Sequence, residues 1–144
     1  MNPKALAFVL ITGTPVLAFA DDPGSMPCED FCMVNVQVSA PTSDTTACVP
    51  KVPHQIDVTH SAVDPAIIEW VLPPGYRFYT SVKRGIHFRS THRHLHHYGL
   101  RGTHYAWGVD KGATSVSAPY DVNIIRLSDK KACLAVDPVV VNLD

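Results

Sequence analysis

The segment that most restricts the possible fold of this chain is residues 66–88, AIIEWVLPPGYRFYTSVKRGIHF. Ile68, Trp70 and Leu72 lie two residues apart, and because strand side chains alternate between faces, these three would share one face of a strand. The Pro-Pro-Gly run that follows suits a type II turn, since proline presets φ and glycine accepts a positive φ. Two prolines and two glycines in so short a span argue against a helix. The segment therefore predicts two or three β-strands joined by tight turns.

Short alternating segments recur along the rest of the chain. Further strands are predicted at 32–38, 55–60, 104–107, 120–127 and 133–141, the last one interrupted at Asp137-Pro138 and therefore expected at a sheet edge or bulge. Residues 21–27 are expected to be frayed, and Asp110-Lys111-Gly112 to form a hairpin turn with Gly112 left-handed. About 7–9 short strands without a convincing helix predict an all-β fold, an Ig-like or Greek-key antiparallel β-sandwich.

The first twenty residues have the pattern of a secretory signal peptide. Lys4 precedes a mostly apolar stretch, and Ala18-Phe19-Ala20 is an A-x-A cleavage sequence. The apolar stretch is too short and too interrupted for a good membrane span. We therefore predict cleavage of residues 1–20, a single domain at 21–144 without a membrane span, and a periplasmic or secreted location.

Net charge adds little about partners. Loss of Lys4 would take the formal net charge of −1 to about −2, which gives no overall reason to expect binding to nucleic acid or to an anionic membrane surface.

All four cysteines fall in the predicted exported part: Cys28, Cys32, Cys48 and Cys133. An even number in an oxidising compartment favours two disulfides, for which three pairings exist. We favour a local Cys28–Cys32 bridge and a Cys48–Cys133 bridge that ties the early chain to the last strand. A zinc site is the alternative, because the C-x-x-x-C spacing is tolerable, although no second paired motif accompanies it.

A set of structural motifs carries a family resemblance. They are Ile68-x-Trp70-x-Leu72, Gly75-Tyr76-x-Phe78, Gly85-Ile86-x-Phe88, Tyr105-x-Trp107 and Asp137-Pro138-x-Val140-Val141-Asn142. Over roughly residues 54–144 the chain resembles a group of small exported bacterial proteins of uncharacterised function that are similar to immunoglobulin-like sandwiches. The resemblance implies a fold and an exported location, and no activity or catalytic residue.

Histidines provide the main chemical hint. The chain has eight, and six of them fall between His87 and His104, around a predicted exposed loop at 89–103. In an extended segment, alternate histidines from position 92 would share a face, whereas in a helix the pairs 92/96 and 94/97 would meet. Either geometry can present nitrogen ligands to copper or zinc. The candidate metal ligands are His92, His94, His96, His97 and His104, with Asp110 as a candidate to orient an imidazole.

Two other interpretations of this stretch remain open. It is compatible with a solvated loop that binds metal adventitiously, since histidine enrichment is compositional only. It is also compatible with a pH-dependent cationic face, because four arginines accompany the histidines: Arg84, Arg89, Arg93 and Arg101. Protonation below about pH 6.5 would then favour an anionic partner such as an envelope polyanion.

Sequence motifs for catalysis are absent. The chain has no G-x-S-x-G or H-E-x-x-H, and no histidine or methionine follows Cys133 to complete a blue-copper site. The first functional hypothesis is an exported, non-enzymatic binding or interaction module whose partner is an unknown protein or a polyanion. The alternative is a periplasmic histidine-rich protein that binds copper or zinc.

Overall fold

The computed structural model describes residues 24–43, 47–80, 85–89, 94–111 and 117–143, and within these ranges the protein is all-β. The strands are β1 (Ser25–Glu29), β2 (Phe31–Asn35), β3 (Gln37–Ser39), β4 (Val49–Lys51), β5 (Gln55–Thr59), β6 (Ala66–Val71), β7 (Tyr76–Phe78), β8 (Ile86–Phe88), β9 (Leu95–Arg101), β10 (His104–Val109), β11 (Ser117–Val122), β12 (Ile124–Arg126) and β13 (Val139–Asn142).

Two main sheets organise these strands. The five-stranded sheet has the order β1-β5-β13-β11-β8, and the four-stranded sheet has the order β2-β6-β10-β9. Two small sheets, β7-β12 and β3-β4, accompany them. No described residue belongs to a helix long and apolar enough to cross a membrane. The arrangement is consistent with a β-sandwich. It corrects two details of the prediction, because the described residues form thirteen strands instead of about 7–9, and the pairs β1–β5, β5–β13 and β2–β6 are parallel and not antiparallel.

Aromatic side chains join the inner faces of the two main sheets. Trp70 of β6 is fully buried, its Nε1–H donates to the Tyr120 hydroxyl of β11 at 3.2 Å, and the two rings meet edge to face at 5.3 Å. Phe88 of β8 meets Trp107 of β10 at 5.0 Å. Burial of each large apolar side chain contributes about 1.5–3 kcal/mol. The predicted inward row of Ile68, Trp70 and Leu72 is confirmed, since all three are buried.

The turn after β6 is present, but it does not join two paired strands as the sequence suggested. Gly75 has φ 89°, as a type II turn requires. β6 nevertheless pairs with β2 and β10, whereas β7 pairs with β12. Pro73 has no N–H with which to extend the β6 ladder, so the chain leaves the four-stranded sheet there.

The N-terminal part of the described chain corrects the expectation that residues up to Pro27 are frayed. Ser25–Glu29 is β1 and pairs in parallel with β5, whereas β2 pairs in parallel with β6 of the other sheet. The chain switches sheets at Asp30, which has φ 58°. The Cys28–Cys32 disulfide spans this switch.

The C-terminal part is also corrected in two respects. Cys133–Val136 is not a strand, although Cys133 is buried and bonded to Cys48. β13 is not at a sheet edge, because it lies between β5 and β11. Pro138 precedes the first strand residue, where a missing N–H costs no ladder bond. Both disulfides match the favoured pairing, and no described cysteine is free.

One predicted hairpin and one predicted strand between β10 and β12 differ from the structure. β10 belongs to the four-stranded sheet and β11 to the five-stranded sheet, so the chain after Asp110 crosses between sheets; Gly112 lies outside the described residues. The predicted strand at 120–127 is divided at Asn123, whose N–H donates to the Gly85 carbonyl at 2.7 Å. The division gives β11 and β12.

Candidate functional site

The histidine-rich stretch contains an edge strand where a loop was expected. β9 pairs antiparallel with β10, and the two strands join through a turn in which Gly102 has φ 60°. The register shifts so that Tyr98 is an extra residue between the pairs Gly99–Ala106 and His97–Trp107. A bulge of this kind interrupts alternation, which explains why the sequence shows no sustained strand period here. His92 lies outside the described residues.

His96 lies on the outer face of the four-stranded sheet, opposite Gly108. Its Nε2 is 2.7 Å from Asp110 Oδ2 at the end of β10. The Asp110 N–H also donates to the His94 carbonyl at 2.9 Å, so the start of β9 is fixed to this carboxylate residue. Asp110, the candidate to orient an imidazole, is therefore in contact with one of the predicted ligands, and Nδ1 of His96 is the nitrogen that this contact leaves unused.

His104 forms a second histidine–carboxylate pair on the same outer face. Its Nδ1 is 2.6 Å from Glu69 Oε1 of the neighbouring β6. His104 and Gly108 are four residues apart on β10, so the two pairs are separated by about 13 Å along the strand. They are two distinct polar points, too distant to share one ion.

His97 points the other way, into the sandwich. Its ring packs edge to face on Tyr105 at 5.0 Å and on Trp107 at 5.3 Å. Nε2 of His97 and Nε1 of Trp107 are both buried without a hydrogen-bond partner among the described residues. Loss of hydration lowers the pKa of His97, which favours the neutral imidazole. Its position in the aromatic core separates it from the other predicted ligands.

The candidate metal ligands are therefore not gathered within the described chain. His96 and His104 have separate carboxylate partners, His97 faces inward, and His94 lies just before β9. Among the described residues no group of three histidine, cysteine or acidic side chains could hold a metal ion.

The candidate cationic face has less free charge than the sequence indicates. Arg89 donates from Nη2 and Nε to Asp121 Oδ1 at 2.7 and 3.0 Å, and this pairing raises the pKa of the guanidinium. His87 Nδ1 is 3.6 Å from the other oxygen of the same carboxylate. The described part of the structure does not include Arg84, Arg93 or the side chain of Arg101.

An exposed apolar surface on the outer face of the four-stranded sheet was missed by sequence reasoning. Phe31 is 56% exposed, Met33 44% and Tyr98 53%. Phe31 and Met33 are opposite Ile67 and Glu69 of β6. Tyr98 lies over Gly108, where an added Cβ would overlap the tyrosine ring. Together with the polar side chains beside them, these residues make up the solvent-facing side of the four-stranded sheet. The term outer face refers from here on to six of its residues: Phe31, Met33, Glu69, His96, Tyr98 and His104.

The signal for this surface was present but ambiguous. In Phe31-Cys32-Met33-Val34 every side chain is apolar, so only the continued alternation through Val36 and Val38 predicts that Val34 faces inward and Met33 outward. The structure confirms this orientation, because Cys32 and Val34 are buried whereas Phe31 and Met33 are exposed. The Cys28–Cys32 bridge holds Cys32 on the inner side.

Comparison of the chain with models of known protein families gives no match, and no curated protein is significantly similar to it. The function is therefore inferred from the geometry described above.

Proposed function

We propose that this protein is an exported, non-enzymatic binding module that contacts a partner protein through the outer face. The observation that carries the proposal is the exposure of Phe31, Met33 and Tyr98 on one face of one sheet. Solvent-facing sheet surfaces ordinarily carry polar side chains. Exposed aromatic and methionine side chains are instead enriched where proteins contact one another.

The chemistry of the outer face fits a protein partner. The two histidine–carboxylate pairs, at 2.6 and 2.7 Å, place hydrogen-bonding groups between and beside the apolar side chains. Apolar anchors with polar groups around them are the usual composition of a protein interface. Glu69 is directly opposite Met33 in the register, so apolar and charged groups are neighbours on adjacent strands.

The size of the outer face predicts a transient contact. Four strands at about 4.8 Å spacing are about 19 Å wide, and with about 20 Å of strand length they give roughly 400 Å². A standard stable interface buries about 800 Å² on each partner. We therefore expect weak, reversible binding unless the partner also covers neighbouring loops.

Export and an Ig-like fold are parts of this proposal. The signal-peptide pattern of residues 1–20 supports export, and two disulfides are compatible with an oxidising compartment. The motif resemblance over residues 54–144 supports an Ig-like sandwich. N-terminal sequencing of the exported protein should find Asp21 as its first residue. Retention of the first twenty residues would contradict the signal-peptide interpretation.

Site-specific photo-crosslinking tests the proposed binding function. A photoreactive phenylalanine analogue replaces Phe31 or Tyr98 in cells that export the protein, and Leu143, which is 58% exposed, serves as the control position. We expect a discrete adduct from the two outer-face positions and none from position 143. Met33→Asp in the same protein should abolish the adduct, because it places a charge within the apolar contact.

Three outcomes would contradict the proposed partner. The same adducts from position 143 would mean non-specific contact, and no adduct from either outer-face position would mean that the face is not occupied. An adduct with twice the mass of the protein, formed only between copies of this chain, would assign the outer face to self-association.

A second candidate function, binding of copper or zinc, is favoured by the contact between His96 and Asp110. Metal-binding histidines commonly use their second nitrogen to contact a carboxylate, which fixes the orientation of the ring. Nδ1 of His96 is the nitrogen available for a metal in this arrangement, and the predicted ligand His94 precedes it by two residues in the sequence. His92, the one histidine outside the described residues, would have to help complete the site.

Calorimetric titration with Cu²⁺ and Zn²⁺ tests this second function. A specific site should bind one equivalent of metal at neutral pH, and its affinity should fall below about pH 6 because ligation needs a neutral imidazole. His96→Ala should abolish binding, whereas His104→Ala should not. Several weak equivalents, lost gradually as histidines are removed singly, would indicate adventitious binding and exclude this function.

A further inference from the structure

A hairpin far from the outer face in sequence carries an unusual combination of side chains. β12 and residues 132–134 form its two sides, and residues 127–131 its tip; we call residues 124–134 the basic hairpin. Leu127 is 48% exposed and Leu134 52% exposed. Lys130 and Lys131 are exposed between them. Two exposed leucines and two lysines therefore lie within eight consecutive positions, 127–134.

The charges of the basic hairpin do not cancel. Arg126 donates from Nε and Nη2 to the two oxygens of Asp129 at 3.0 and 2.6 Å, and this pairing lowers the pKa of Asp129 to about 2. Lys130 and Lys131 form no ion pair within 4 Å among the described residues, although the charge of Lys131 also helps to lower the pKa of Asp129, which Arg126 already pairs. Arg77 of β7, also exposed, is opposite Ile125 in the register and adds a third unpaired cation.

The hairpin is held rigidly in position. Arg126 N–H donates to the Lys131 carbonyl at 2.9 Å, and Lys131 N–H donates to Asp129 Oδ1 at 3.2 Å. The Cys48–Cys133 disulfide and the bond from Leu134 N–H to the Cys48 carbonyl, at 2.8 Å, attach its second side to the rest of the protein. A surface that is already ordered loses little conformational entropy when it docks.

We propose that the basic hairpin docks the protein onto the surface of a bilayer that contains anionic phospholipid. Uncompensated lysines are attracted to anionic headgroups, and exposed leucines beside them gain from entering the boundary between headgroups and acyl chains. The chain has a formal net charge of −1, so the attraction is local to this end and opposed by acidic groups elsewhere. Charge complementarity selects an anionic bilayer, and the leucines distinguish it from a purely polar polyanion.

This inference concerns a surface separate from the outer face, so it stands or fails independently of the proposed binding function. The test is co-sedimentation of the exported protein with vesicles of equal parts phosphatidylglycerol and phosphatidylcholine, compared with phosphatidylcholine alone. We expect binding to the anionic vesicles only, and reversal at high salt because surface charges are then screened.

Variants identify the hairpin as the contact. Lys130→Gln and Lys131→Gln should each weaken binding about fivefold, the usual contribution of one lysine near an anionic membrane surface. Leu127→Ser with Leu134→Ser should also weaken it while leaving the disulfides intact. The matched controls are Lys111→Gln and Leu143→Ser, which change an exposed lysine and an exposed leucine elsewhere and should leave binding unchanged.

Each other outcome would overturn the proposal. Equal sedimentation with neutral vesicles would show that charge does not drive binding. An equal loss of vesicle binding in the control variants would show that the basic hairpin is not the contact. Binding to a soluble acidic polysaccharide that depends on the lysines but not on the leucines would replace the bilayer with a polyanion. No binding to anionic vesicles would exclude the inference directly.

Discussion

The two tryptophans differ in one hydrogen bond. Trp70 and Trp107 contribute to the same aromatic core, but the Trp70 indole N–H donates to the Tyr120 hydroxyl, whereas the Trp107 N–H is buried without a described partner. A buried polar group without a partner costs about 1–3 kcal/mol, so the two indoles contribute differently to stability although both pack against aromatic rings.

Phenylalanine substitutions should separate these contributions. Trp70→Phe removes the partner of a fully buried tyrosine hydroxyl, and Trp107→Phe removes an unpartnered N–H with a similar loss of volume. We expect the free energy of unfolding of Trp70→Phe to be lower than that of Trp107→Phe by about 1–3 kcal/mol in urea titrations. Equal stabilities, or a less stable Trp107 variant, would show that packing outweighs the hydrogen bond.

Burial of single residues was predictable where polarity and alternation agree. Ile56, Val58, Ile68 and Trp70 alternate with more polar or less buried neighbours, and all four are buried as expected. His97 and Phe31 reverse the ordinary preference, because a polar imidazole faces inward and a phenyl ring faces solvent. A bulge and a disulfide determine these two orientations, and neither can be placed from residue type alone.

At the scale of elements, Asp30 joins the sheet switch to the loop before β6. Its carboxylate accepts the N–H groups of Ser61 and Val63 at 2.9 and 3.1 Å, that of Ala62, and the hydroxyl of Ser61. Its own N–H donates to the Thr59 carbonyl at 3.3 Å. The Asp30 side chain thus accepts hydrogen bonds from the backbone N–H groups of the turn at 61–63, and the Asp30 backbone turns the chain from β1 into β2.

Stability should depend on the charge of Asp30 in a defined pH range. The Ser61 hydroxyl and the backbone N–H groups lower the pKa of Asp30 from 3.8 to about 2. A lowered folded-state pKa means that the stabilisation is complete above about pH 3.8 and is lost as the pH falls through about 2. Asp30→Asn, which tolerates the same positive φ, should be less stable than the wild type at pH 7, and the two should converge near pH 2.

Thermal unfolding from pH 7 to pH 2 measures this convergence, with Asp137→Asn as the control because the Asp137 side chain is 72% exposed and its ion pair with Arg89 is long, at 3.7 Å. A constant difference between wild type and Asp30→Asn across the whole range would mean that the substitution acts through geometry and not through charge.

Pairing between elements was less predictable than the elements themselves. β5, β6 and β10 lie close to their predicted positions, yet β6 pairs with neither of its sequence neighbours β5 and β7. Alternation and turn residues are local signals, whereas pairing depends on contacts between distant segments such as Phe31 with Ile67 and Val139 with Gln55. Contacts within the candidate functional site were unpredictable for the same reason. His104 contacts Glu69 only because β10 and β6 are adjacent in the sheet.

At the scale of the whole molecule, the two disulfides constrain very different lengths of chain. Cys28–Cys32 has a sequence separation of 4 and closes a loop around the sheet switch. Cys48–Cys133 has a separation of 85 and links the segment before β4 to the end of the basic hairpin. The chain-entropy account of cross-links predicts greater stabilisation by the bridge that closes the longer loop.

Removal of each bridge should therefore have unequal effects. We expect Cys48→Ala with Cys133→Ala to lower the free energy of unfolding by about 4–5 kcal/mol, and Cys28→Ala with Cys32→Ala by about 2 kcal/mol. The comparison is well matched, since exposure is 1% and 9% for the first pair and 1% and 7% for the second, so the lost side-chain burial is similar. Urea unfolding of both variants at neutral pH measures the difference. Equal losses, or a larger loss for the short loop, would mean that native contacts at the sheet switch outweigh the entropy of the unfolded chain.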